Sequence, residues 1–272
     1  MQQFAVQVKN QGKTIGFVPT MGFLHKGHVS LIQQSKKDTD ITVVSIFVNP
    51  TQFGPKEDFK KYPRNFKRDC LLAAKSGADI VFYPSVKSMY PKGFQTYVEV
   101  VELSKPLCGS LRPGHFRGVA TVVIKLFNIV KPNVAYFGQK DAQQALVVRR
   151  MACDLSMDLK IKAMPIVREK DGLAMSSRNA YLSPTEQKQA LVLKKALQKA
   201  CDMIKSDEKN TKNIISSMEK IITGASSPKI DYISIVDAET LQEIKKITGH
   251  ILIALAVRIG KTRLIDNVQV RI

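Results

Sequence analysis

Thr14-Ile15-Gly16-Phe17-Val18-Pro19-Thr20-Met21-Gly22-Phe23-Leu24-His25-Lys26-Gly27-His28 is the stretch whose reading decides the fold. Thr14 to Val18 is a β-branched and aromatic run, read as a buried strand. Gly27 to Lys37 then follows a helical pattern. Between them lies a turn with two glycines and two imidazoles three residues apart. A helix that opens beyond a strand end offers unpaired N–H groups and partial positive charge to an anion. Gly22 and Gly27 let the backbone come close to such a ligand.

Working outward, the same alternation continues. Ile41 to Val48 and Asp79 to Tyr83 read as strands, with a helix near Phe66 to Ser76 between them. Val119 to Val130 reads as helix, Asn133 to Phe137 as strand, Asp141 to Cys153 as helix and Leu159 to Ala163 as strand. Strands alternating with helices predict an α/β domain with a parallel sheet covered on both faces. Ligands of such sheets bind beyond the carboxyl ends of the strands.

The pattern changes near residues 176–183. Ser183-Pro184-Thr185-Glu186 is a capping box with proline at the first helical position. Apolar residues at Ala190, Leu193, Leu197, Cys201 and Ile204 continue that helix, and a second spans Thr211 to Ile222, ending at Gly224. Strands are expected at Lys229–Val236, His250–Arg258 and Thr262–Val270. The chain therefore divides into a larger α/β domain over 1–176, which carries the anion-facing turn, and a smaller α+β domain over 177–272.

Composition narrows the function. The chain has 272 residues with 42 Lys+Arg and 23 Asp+Glu, a net charge of +19, and 44% hydrophobic residues. That hydrophobic content excludes a disordered basic chain. Residues 1–176 carry 26 basic and 13 acidic residues, and residues 177–272 carry 16 and 10. A diffuse excess argues against a polyanion-binding tail, and the absence of Trp leaves few stacking platforms for single strands. The expectation is no nucleic acid. Cys70, Cys108, Cys153 and Cys201 lack the spacing of a zinc site or redox dithiol. Met1 to Asn10 lacks the apolar core of a signal peptide, and the apolar run Ile251 to Val257 is too short to span a bilayer. A soluble cytoplasmic protein without membrane contact is expected.

Other phosphate motifs fail. Gly12-Lys13-Thr14 and Gly260-Lys261-Thr262 end like P-loops, but Gln7 and Leu255 stand where the first glycine belongs. No Gly-x-Gly-x-x-Gly is present. The plain alternative for His25 to His28 is a turn with two surface histidines. Two of only four histidines sharing one strand-end turn argue against it.

His25-Lys26-Gly27-His28 resembles the HIGH signature of the nucleotidyltransferase superfamily. Val48-Asn49-Pro50-Thr51-Gln52-Phe53, Tyr62-Pro63-Arg64, Phe137-Gly138-Gln139-Lys140-Asp141 and Asp171-Gly172-Leu173-Ala174-Met175-Ser176-Ser177-Arg178-Asn179 narrow it. Together these are similar to the pantothenate synthetase (pantoate–β-alanine ligase) family, in order from Gly16 to Leu182. Thr262-Arg263-Leu264-Ile265-Asp266-Asn267 adds a family-like stretch near the end.

The resemblance implies a Rossmann-like catalytic domain and two half-reactions. Pantoate is adenylated by ATP with release of pyrophosphate, and β-alanine then displaces AMP to give pantothenate. By family match His28 is the catalytic acid, with His25 as a second phosphate contact. Physically, hydrogen-bond donation to the reacting phosphate is expected to matter more than bulk proton transfer. Met21, Gly22, Phe23, Leu24, His25, Lys26, Gly27 and His28 would form the ATP turn. Gly138, Gln139, Lys140 and Asp141 would form a second, with Asp141 either touching nucleotide or capping the next helix.

Gln52 and Gln144 match the pantoate- and β-alanine-binding glutamines, and Val167 matches an adenine contact. Met175, Ser176, Ser177 and Arg178 resemble the mobile KMSKS loop and would follow the phosphates. Asp69 is the candidate for organising Mg²⁺, although Arg68 precedes it where relatives can carry a second acid. Arg112, His115 and Arg117 read as a solvated basic loop, and Lys56 to Arg68 as a solvated face. A homodimer is a family expectation. An RNA-binding relative and a regulatory protein with a vestigial site are the competing readings.

Overall fold

The computed structural model describes residues 1–55, 57–224 and 228–272. Lys56, within the basic stretch noted above, lies outside the described residues. The chain forms two compact units. The first comprises 1–104 and 112–165, and the second 105–111 and 166–272. The division falls earlier than the expected boundary after 176, and 105–111 joins the second unit. Local pairing explains the earlier break: Arg168 bridges to Ala174, and Leu173 is buried in the second unit's core.

In the first unit, strands β1 (Ile15–Thr20), β2 (Ile41–Ile46), β3 (Ile80–Phe82), β4 (Val134–Gly138) and β5 (Lys160–Met164) form one sheet in the order β3-β2-β1-β4-β5. Every pairing is parallel, as the alternation predicted. Helices are α1 (Gln2–Asn10), α2 (Lys26–Asp38), α3 (Phe66–Lys75), α4 (Val86–Met89), and, beyond the 105–111 insert with its short α5 (Cys108–Leu111), α6 (His115–Val130) and α7 (Ala142–Asp154). Helix α1 has no counterpart in the sequence reading. It buries only Ala5 and Val8, too sparse an apolar face to stand out by periodicity.

The strand order has one functional consequence. From β1 the chain moves to β2 and then β3 on one side, and returns to β4 and β5 on the other. The turns after β1 and β4 therefore flank the point where strand order reverses, the usual ligand crevice of such sheets. Val18, Leu24, Leu31, Ile32, Val44, Ala73 and Tyr136 form a core cluster that joins α2 and α3 to the sheet.

The second unit contains α8 (Pro184–Ala190), α9 (Val192–Lys205) and α10 (Thr211–Thr223) against the antiparallel sheet β6 (Pro228–Asp237), β7 (His250–Ile259) and β8 (Thr262–Arg271). Ser183 and Glu186 make the predicted capping box. The single helix read through Ala190 is two helices, divided at Leu191. The core packs Leu193, Leu197, Ile214 and Met218 against Ile251, Ile253 and Leu255. Among the described residues no helix is long and apolar enough to cross a membrane.

Gly118 in α6 lies against the turn that carries Gln52. A Cβ there would run into the Thr51 carbonyl oxygen and would sit 2.7 Å from the Gln52 nitrogen. Both obstacles are backbone, so neither can rotate away. Gly118→Ala should destabilise the chain by about 1–3 kcal/mol through this overpacking, read from urea denaturation midpoints.

Candidate active site

The turn after β1 is built from inside. Thr20 Oγ1 donates to the Ser45 carbonyl at 2.7 Å and accepts from Gly22 N at 3.1 Å. Gly22 and Phe23 both take positive φ, 85° and 50°. That conformation is easy for glycine and costly for phenylalanine. The two N–H groups that follow find acceptors on α3. Phe23 N donates to Asp69 Oδ2 at 2.7 Å, and Leu24 N to Asp69 Oδ1 at 2.8 Å. Arg68 adds a bond to the Leu24 carbonyl at 2.9 Å and lies 5.0 Å from the Phe23 ring centroid.

Helix α2 then begins with imidazoles where Ser and Glu usually serve. His25 is the N-cap, and its Nδ1 accepts from Gly27 N at 3.1 Å. His28 Nδ1 accepts from His25 N at 3.2 Å, closing the reciprocal cap. The ring centroids are 4.1 Å apart. An imidazole nitrogen that accepts a backbone N–H carries no proton. In the neutral ring the proton therefore sits on Nε2 in both histidines. Burial, with Lys140 nearby, lowers the His25 pKa to about 4. Burial, then His25 and Lys140, push His28 well below its ordinary value. Both rings are neutral donors at pH 7.

Lys140 reaches these rings from the other side of the reversal point. It lies in the short 3-10 turn Gln139–Asp141 after β4, with Gly138 before it. Lys140 Nζ is 3.7 Å from Asp141 Oδ1. Asp141 occupies the N-cap position of α7 but makes no side-chain cap bond. The capping reading of Asp141 is thus not what the geometry shows. Gln144 follows one turn into α7, partly buried.

Gln52 is held by its neighbours. Its Oε1 accepts from Asn49 Nδ2 at 3.1 Å, and its Nε2 points at Met21 Sδ at 3.1 Å. Asn49, 1% exposed, also donates to the Gly118 carbonyl and accepts from the Tyr90 hydroxyl at 2.8 Å. Asn49 thereby has a role that its motif alone does not give. Its Asn-Pro turn was the available signal.

Two members of the basic loop, Arg112 and His115, are internal and not solvated. His115 is 9% exposed and Arg112 is paired with both oxygens of Glu57, at 2.6 and 2.7 Å. His115 Nδ1 donates to the Gln52 carbonyl at 2.8 Å, so its Nε2 accepts from Arg112 at 2.9 Å. This group braces Gln52. Arg117 stays exposed, over the Tyr97 ring. Arg68 is exposed, as the solvated-face reading has it, while its guanidinium also engages Leu24 and Phe23.

Asp69 fits a metal poorly. Both carboxylate oxygens already accept backbone N–H groups, and the residue is 1% exposed. Among the described residues no group of three His, Cys, Asp or Glu could hold an ion. The Asp69 carboxylate is thus engaged by the turn, where the sequence expectation has it organising Mg²⁺.

Val167, Met175, Ser176, Ser177 and Arg178 lie in the second unit. Met175 N donates to the Val167 carbonyl at 3.0 Å. Arg168 is paired with both oxygens of Asp266, at 2.6 and 3.0 Å, and also bonds the Gly172 carbonyl. Ser176 Oγ accepts from Arg178 N at 3.2 Å. Asp266 of the family-like C-terminal stretch thus anchors the hairpin that leads into Met175 to Arg178.

Comparison with known proteins gives the family. The family model described as pantoate-beta-alanine ligase matches residues 1–269. The chain belongs to the pantoate–β-alanine ligase family. A pantothenate synthetase of Fervidobacterium nodosum is 59% identical over 267 residues, covering 98% of this chain and 95% of that one. A crystal structure of the Thermus thermophilus enzyme matches with TM-score 0.93 and 43% identity, covering 97% and 96%. The Francisella tularensis ligase, described as complexed with beta-gamma ATP and beta-alanine, matches with TM-score 0.77 and 37% identity, covering 98% and 94%.

The buried neutral histidines make stability depend on pH. His25 and His115 have folded values of about 4, below the ordinary 6.5. Between these values the unfolded chain binds more protons, so stability falls as pH drops. From pH 7 to pH 5 each ring should cost roughly 2 kcal/mol. Urea denaturation at the two pH values measures the loss, and His115→Gln should remove about half of the contribution from this pair.

Proposed function

We infer that the chain condenses pantoate with β-alanine at the expense of ATP, giving pantothenate, AMP and pyrophosphate. The observation that carries the reading is the meeting of two strand-end turns at the sheet's reversal point. One presents two neutral Nε2–H donors and the other a lysine. Family membership gives the substrates, and the geometry gives these residues a consistent chemistry.

A carboxylate is a poor electrophile until adenylation supplies a leaving group. In the proposed first step a pantoate carboxylate oxygen attacks the α-phosphorus and the bond to pyrophosphate breaks. In the second, the β-alanine amine attacks the acyl carbon and AMP leaves, after the amine loses its proton. The turn from Met21 to His28 and the turn from Gly138 to Asp141 are assigned to ATP. His28 and His25 donate Nε2–H to phosphate oxygens as charge builds there. Such a preorganised donor is strongest when it needs no reorientation during the reaction. Lys140 adds a compact positive charge.

Gln52 and Gln144 are assigned to the substrates. Gln52 presents its amide N–H to a thioether, a weak acceptor that a substrate oxygen can displace. Val167 is assigned to adenine, and Met175, Ser176, Ser177 and Arg178 to the phosphates, on family resemblance. Arg178 and the two hydroxyls suit a departing pyrophosphate. Mg²⁺ belongs to this reading as the counter-ion that ATP brings with it. A cytoplasmic homodimer without nucleic-acid or membrane partners completes it.

Pantoate-dependent exchange of pyrophosphate into ATP tests the first half-reaction. It should require pantoate and not β-alanine, and soluble folded protein without exchange would refute the reading. His28→Ala should lower the exchange rate by roughly a hundredfold or more, as loss of a transition-state donor does. Near-normal turnover in that variant would remove His28 from the mechanism.

A further inference from the structure

We propose that Asp69 is a positioning residue for the ATP turn and not a magnesium ligand. The inference deepens the ligase reading and rests on it for the meaning of the turn. Strand β1 ends at Thr20 and α2 begins at Lys26. The N–H groups of Phe23 and Leu24 belong to neither element. Positive φ at Gly22 and Phe23 turns both inward, where an unmet N–H would be costly. Asp69 meets both with one carboxylate, and charge-assisted bonds are the strong kind.

Both oxygens of that carboxylate are engaged. Oδ1 holds Leu24 N and has the Arg68 guanidinium at 3.3 Å. Oδ2 holds Phe23 N, and even a methyl group on Gly22 would come within 3.1 Å of it. A strongly hydrated Mg²⁺ would have to compete here with two backbone bonds and with the neighbouring Arg68 cation. Arg68 fits the same task, since it fastens the Leu24 carbonyl of the same turn. The residue after Leu24 is His25, whose cap fixes the Nε2–H tautomer of both rings. Asp69 thus acts through the backbone on where those donors point.

Asp69→Asn is the direct test. An amide has one acceptor oxygen, so one of the two N–H groups would face an NH₂. Pantoate-dependent exchange is measured across a magnesium series, well below the unfolding temperature. Exchange should fall at least about thirtyfold, the scale of a misplaced reacting group. The magnesium concentration for half activation should stay within about twofold of wild type, since no ligand is lost. Long-range ¹H–¹⁵N spectra of the substrate-free protein should show His25 and His28 no longer held in one tautomer.

A rise of about tenfold in the magnesium requirement, with activity restored by excess ion, would overturn the proposal in favour of metal ligation. So would a folded variant with wild-type exchange and unchanged tautomers. If Asp69→Asn does not fold, Arg68→Gln decides. The turn brace predicts about three- to tenfold slower exchange at an unchanged magnesium requirement. A metal ligand relieved of its neighbouring cation would instead need less magnesium. A wild-type protein without exchange refutes the ligase reading alone, because the tautomer spectra need no substrate.

Discussion

Two consecutive left-handed residues after a buried strand leave backbone donors that the chain cannot satisfy locally. One buried carboxylate on the next helix but one supplies both acceptors. From that constraint the rest of the site follows. With Phe23 N and Leu24 N fixed by Asp69, the chain enters α2 with His25 as N-cap. The reciprocal cap then sets which nitrogen of each imidazole carries the proton. Orientation and tautomer are consequences of backbone hydrogen bonding, and the neutral charge state follows first from burial.

A second dependency runs through the sheet. β1 lies between β2 and β4, so the strand that delivers the histidines neighbours the strand that delivers Lys140. Burial lowers both imidazole pKa values, Lys140 adds to the effect, and the rings stay neutral. The Gln52 turn is packed by Gly118, fastened by Asn49 and braced by His115 and Arg112. His115 holds its proton on Nδ1, the opposite tautomer to the histidine pair, because a carbonyl faces that nitrogen. One residue type thus serves as helix cap with Nε2–H left to donate and as internal strut, separated only by what each ring nitrogen meets.

The +19 charge acquires a structural gloss. Many acids are committed to internal partners: Asp69 to the turn, Glu57 to Arg112, Asp266 to Arg168, and Asp231 to Arg258 and Arg263. Lysines such as Lys9, Lys67, Lys195 and Lys199 are exposed. Positive charge therefore dominates the solvent-facing positions, and the diffuse distribution in the sequence is the expected trace. Such a surface favours the approach of anionic small molecules.

The sequence by itself determined the layer architecture, most of the long elements other than α1, and the location of the two strand-end turns. These rest on local periodicity, capping residues and glycine-bearing strand ends, all readable over short windows. The family motifs added the chemistry. Only the tertiary structure decided that Asp69 serves the backbone, that Asp141 does not cap its helix, that Arg112 and His115 are internal struts, and that the first unit ends before residue 166. Each of these depends on groups far apart in the chain: Asp69 meets Phe23, and Arg112 meets Glu57. Whether a charged side chain is solvated, pairs or holds backbone is set by which distant polar group burial leaves unmet.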